Sequence, residues 1–145
     1  MPTRRAPVLF LLPAVLLALA GCAVSHGSST YEFGGSHCSE INPKQKLWYH
    51  VNGGTCAVFK ASDSTFAAVL VKSPKADVSG TVELWASVGD GKAMKLKSKR
   101  FSVEASTKAT VITSATLVGA KKKTYIVQIT VPSGTPKFDF TVGVE

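Results

Sequence analysis

The chain has 145 residues, 17 of them basic and 9 acidic, with three cysteines, three histidines and two tryptophans. That length allows one domain with one core and little besides. With singly placed carboxylates, no Gly-x-Ser-x-Gly, no His-Glu-x-x-His and no glycine-rich phosphate loop ahead of a helix, the usual routes to an activated nucleophile or a metal-assisted reaction are missing. The expectation is a protein that is not an enzyme, has no catalytic residue and needs no cofactor.

The first element is an apolar run from Ala6 to Ala20, led by Arg4 and Arg5 and interrupted by Pro7 and Pro13. It has the length of a signal-peptide core and is short for crossing a bilayer. It ends in Leu19-Ala20-Gly21-Cys22, which resembles the lipobox of bacterial lipoproteins position by position. The resemblance implies that residues 1–21 are a signal peptide and that the Cys22 thiol receives a diacylglycerol. It also implies cleavage before Cys22 and acylation of the new amine, for instance by palmitate. One buried chain holds a protein to a membrane marginally, and two or three hold it stably. Ala23 stands where an aspartate would signal inner-membrane retention in Gram-negative lipoproteins. The family rule therefore sends the chain to the periplasmic face of the outer membrane, or in a Gram-positive cell to the exterior of the cell membrane.

Setting Arg4 and Arg5 aside takes the basic count from 17 to 15 against 9 acids, a net charge of about +6. Residues 22–37 are mostly small and polar and read as a flexible tether with a reach of about 20 Å. With Cys22 lipidated, Cys38 and Cys56 remain as an even pair in an oxidising compartment, which predicts a disulfide worth about 3 kcal/mol. The rival arrangement, a metal site on His37, Cys38, His50 and Cys56 with Met94, matches no zinc or copper spacing. No metal site is expected, and periplasmic metal binding is kept only as a remote alternative.

From residue 38 onward the pattern is short β-prone runs bounded by turn residues. Lys46 to Val51 and Thr55 to Lys60 flank Asn52-Gly53-Gly54, which predicts a tight hairpin. Thr65 to Lys72 contains six consecutive apolar residues and reads as a central strand covered on both faces. Gly80 to Ser87 turns Val82, Leu84 and Ala86 inward, with Glu83 and Trp85 outward, before the turn Gly89-Asp90-Gly91. Between Lys92 and Val103 the apolar parity slips, predicting a β-bulge or corner near Ser98 to Arg100 and Lys95, Lys97 and Lys99 on one outer face. Lys108 to Thr113 and Ala115 to Val118 are two shorter strands. Thr124 to Val131 and Lys137 to Val144 alternate most clearly. The whole reads as an antiparallel β-sandwich of about eight strands, immunoglobulin-like or jelly-roll-like, over residues 38–145; a closed barrel is the other option.

The pieces Thr81-Val82-Glu83-Leu84-Trp85, Thr124-Tyr125-Ile126-Val127 and Phe138-Asp139-Phe140-Thr141-Val142 resemble the bacterial immunoglobulin-like and pre-peptidase C-terminal modules that decorate secreted proteins. Lys123 departs from the glycine usual before the threonine-tyrosine pair. The resemblance implies a sandwich and transfers no functional residue. Binding candidates are therefore Trp48 and Trp85, on the polar parity of their strands, and the basic groups Lys95, Lys97, Lys99, Arg100 and Lys121, Lys122, Lys123. The tryptophans suit an envelope protein partner, and the lysines an anionic glycan or lipid. Nucleic acid is not expected, because no aromatic residues interleave with the basic groups.

Overall fold

A computed structural model of the chain describes residues 23–24, 29–33 and 36–145. The expected signal peptide, 1–21, and the lipidation site, Cys22, lie outside the described residues. Among the described residues the fold is all-β. The strands are β1 (Ala23–Val24), β2 (Ser29–Phe33), β3 (Ser36–Glu40), β4 (Trp48–Val51), β5 (Thr55–Lys60) and β6 (Thr65–Ser73). They continue as β7 (Val78–Gly89), β8 (Lys92–Val103), β9 (Ser106–Leu117), β10 (Thr124–Thr130) and β11 (Phe138–Val144). Two sheets result, ordered β1-β4-β11-β6-β9 and β2-β3-β5-β10-β7-β8. Pairing is antiparallel except for β1 with β4 and β3 with β5. The expected sandwich is present, with three more strands at its N-terminal side than the patterning predicts. Strand pairing thus reaches back into the stretch 22–37 read as a tether.

The core lies between the sheets, as strict alternation requires. Tyr49, Val51, Val69, Val71, Phe138 and Phe140 enter it from the five-stranded sheet, and Phe59, Val82, Leu84, Tyr125, Val127 and Ile129 from the six-stranded one. Gly80 is needed where β7 passes β10: a Cβ there would overlap the Thr130 carbonyl oxygen and come within 3.0 Å of Val131 Cγ1.

Four local expectations are corrected. The turn Asn52-Gly53-Gly54 does not close a hairpin, since β4 and β5 belong to different sheets. Gly53 and Gly54 do adopt positive φ, 82° and 99°, but a glycine reversal is local and serves a corner between sheets equally well. β6 is not covered on both sides: Ala67, Val69 and Val71 are buried, whereas Phe66 is 45% exposed. The bulge in β8 falls at Leu96, where the register with β7 shifts between Leu84 and Trp85. That shift lets Leu96 pack on the core while Phe101 and Val103 keep their inward register. Finally, residues 106–117 form one strand, its register shifting by one residue to admit buried Ile112.

Candidate functional site

The Cys38–Cys56 disulfide forms as expected, with a Cα–Cα distance of 4.5 Å. It ties β3 to β5 beside their short parallel ladder, Ser39 to Ala57 and Glu40 to Val58. On the outward side of the six-stranded sheet, Cys38, Cys56, Val58 and Ile126 form a second, smaller core against which Phe33, Trp85 and Ala93 pack. Phe33 reaches Trp85 edge-on, with ring centroids 4.9 Å apart. β2 and β7 are four places apart in the sheet order, so Phe33, at the end of β2, reaches across this face to meet Trp85.

The two candidate tryptophans consequently sit in different settings. Trp85 closes the small core, with Lys95 Nζ 5.3 Å from its ring centroid. Trp48 lies on the outward side of the other sheet, with Lys72 Nζ 4.4 Å over its ring. A groove of about 420 Å³ runs past it, lined by Pro43, Lys44, Lys46 and the β11 segment 141–144. The groove's upper wall is a 3₁₀ turn, Pro43–Gln45, whose first free N–H, on Lys44, donates to Asn42 Oδ1 at 3.0 Å. Thr141 Oγ1 donates to the Leu47 carbonyl at 2.6 Å, holding β11 against this turn.

The basic residues do not form one surface. Pairing with β7 sets Lys95 (opposite Trp85) on the outward side of the sheet, whereas Lys97 (opposite Leu84) and Lys99 (opposite Val82) take the inward register at the exposed sheet edge. Their expected common face is therefore split by the bulge at Leu96. Arg100, opposite Thr81, returns to the outward side. Lys121, Lys122 and Lys123 form a short turn before β10, where the Lys121 stem lies against Gly89 at the β7–β8 reversal. Lys99 is seven residues along β8 from that reversal, about 23 Å away. Lys95 is held by Glu83 at 3.3 Å and Lys123 by Asp63 at 3.4 Å.

The residues weighed for a metal site are scattered. Cys38 and Cys56 are joined to each other, Met94 lies over Gly119 on the opposite side of that sheet, and His50 is on the other sheet, its Nδ1 3.0 Å from Asp139 Oδ1. Among the described residues no three His, Cys, Asp or Glu side chains converge on one point.

Two features escape a reading of the sequence. Tyr125 Oη donates to Asp63 Oδ1, clamping the β5–β6 loop to the start of β10. Burial and the neighbouring carboxylate push the tyrosine hydroxyl well above its usual range, while the bond from Tyr125 and the nearby Lys123 ammonium hold Asp63 below the usual carboxylate range. The second is the outward face of the five-stranded sheet. Phe66 and Val111 are 45% and 56% exposed there, with Leu70 half-buried between them. Leu70 stands between Thr141 on β11 and Val111 on β9, and Ala68 pairs with Gly143, so the side chains beside it on β11 are small. Compared with known proteins, the chain matches no family model and no curated protein sequence.

Proposed function

We propose that this chain is a lipid-anchored protein of the bacterial cell envelope that acts by contact, as an accessory module of an envelope protein complex. The anchor is the lipidated Cys22, and the module is the sandwich. The observation that carries the contact reading is the group Phe66, Leu70 and Val111 standing on the outward sheet face beside the small residues Ala68 and Gly143. Exposed apolar side chains grouped on one face favour a partner surface more than solvent. A photo-crosslinking residue at Val111, expressed in the native envelope, is expected to capture a protein. Capture equal to that from a control site at Ser133, in the β10–β11 loop, would overturn the reading.

A second reading has its own support at the opposite edge. Lys97, Lys99 and Arg100 are all exposed along edge strand β8, a disposition that suits an anionic glycan or lipid. Such binding would fall steeply with added salt; insensitivity to salt would count against it. The resemblance to bacterial immunoglobulin-like modules is consistent with either contact role.

A further inference from the structure

We infer that the β1–β4 edge of the sandwich is its membrane-facing side, and that Trp48 with Lys44, Lys46 and Lys72 docks on anionic phospholipid headgroups. The inference deepens the lipid-anchor reading and rests on it in part. Its starting observation is the ladder of β1, in which Ala23 pairs with Trp48 and Val24 with Tyr49. Cys22 is the next residue in the chain before Ala23, and one trans peptide spans 3.8 Å between Cα atoms. An acyl anchor at Cys22 therefore brings this edge to the bilayer surface.

The surface found there has the composition such a contact requires. Trp48 is an amphipathic ring of the kind that settles at headgroup depth, set in the groove between Pro43 and the end of β11. Lys44 and Lys46 form its rim and Lys72 lies over the ring. Each lysine near an anionic leaflet contributes on the order of 1 kcal/mol, about a fivefold change in the docked population. Asp139 on this face is bonded to His50 and pairs in register with Lys72, so its charge is offset without drawing on Lys44 or Lys46.

The same orientation accounts for the rest of the surface. β9, carrying Val111, lies three strand spacings from β4, about 14 Å from the docked edge. β8, joined to β9 by residues 104–105, is on that far side as well. The basic β8 edge is then presented away from the lipid, and Val111, though on the same outward face as Trp48, stands at the far end of that face from the docked edge.

The chain contains only two tryptophans, one on each sheet, so it carries its own probe and control. Full-length protein purified from native membranes is reconstituted into vesicles of phosphatidylcholine mixed equally with phosphatidylglycerol, some with bromine-labelled acyl chains. The expected result is bromine quenching of Trp48, measured in Trp85→Phe protein, and little quenching of Trp85, measured in Trp48→Phe protein. Should one variant fail to fold, its signal is obtained by subtracting the other from wild type. Lys44→Gln and Lys46→Gln are each expected to lower the docked-to-undocked ratio about fivefold, and replacing phosphatidylglycerol by phosphatidylcholine, which removes both contributions, about twenty-fivefold. Equal quenching of both tryptophans, or none of Trp48, overturns the inference. Mass analysis of the same preparation separates the two claims. If Cys22 carries no lipid, the anchor reading fails, and the docking claim is then decided by adding the vesicles to the soluble protein and reading Trp48 quenching alone.

Discussion

On the six-stranded sheet, Cys56, Val58, Ile126 and Trp85 point away from the main core and are roofed by Phe33 and the β2–β3 hairpin. On the five-stranded sheet, Phe66, Leu70 and Val111 also point away from the core and meet no such roof among the described residues. Both faces carry apolar side chains in outward register, so alternation alone does not separate them. The separating feature is the disulfide, which pins an extra hairpin to one sheet and leaves the other open. An outward apolar row covered from within the chain is structural, and one left uncovered is available to something else.

The sharpest way to break this contrast is to remove its cause. Cys38→Ser with Cys56→Ser is expected to lower stability by about 2–5 kcal/mol, read from urea denaturation of the purified protein. A loss below about 1 kcal/mol would mean that the hairpin holds without its staple. Truncating the roofed tryptophan comes next: Trp85→Ala is expected to cost about 2–3 kcal/mol, and Trp48→Ala about 1 kcal/mol or less. Equal losses would erase the distinction between the faces. An intermediate effect, present at neutral pH and lost in acid, is expected from the Asp63–Tyr125 clamp. Asp63 has a folded pKa below its ordinary 3.8, so its contribution is complete above that value and is lost as pH falls through the lower, folded one. The stability difference between wild type and Asp63→Asn should therefore be level near neutrality and shrink below pH about 4; a difference that grows toward acid would reverse the assignment. The smallest effect belongs to the open face, where Phe66→Ser and Val111→Ser should each change stability by less than about 0.5 kcal/mol, while Phe66→Ser should weaken the crosslinks formed from the photo-reactive residue at position 111.

Much of this architecture was legible in the chain. The alternation in residues 124–131 and 137–144 gave β10 and β11 nearly to the residue, and pairing of Cys38 with Cys56 followed once Cys22 was set aside. Sheet membership was not legible. Asn52-Gly53-Gly54 signals a reversal, but whether β4 and β5 pair or part depends on β10 and β11, which are far away in sequence. The six apolar residues of β6 misled for a related reason, because coverage of an outward face depends on what other strands bring over it. At the candidate surfaces, the bulge at Leu96 rather than near Ser98 divided the lysines that a simple count of parity puts together. The pairing of β1 with Trp48 was hidden because it rests on the backbone hydrogen bonding of only two residues, Ala23 and Val24, too short a run to show a strand pattern. The bond of Asp63 to Tyr125, 62 residues apart, follows no spacing rule at all.

The route of the N-terminal arm has a mechanical consequence. β1 is laced to one sheet and β2 and β3 to the other, and at Cys38 the arm is covalently fastened to β5. Tension on an anchor at Cys22 would unzip the short ladders first and then stop at that covalent stitch. The fifteen residues 23–37 would release at most about 50 Å of chain, and the sandwich beyond it would be carried along whole.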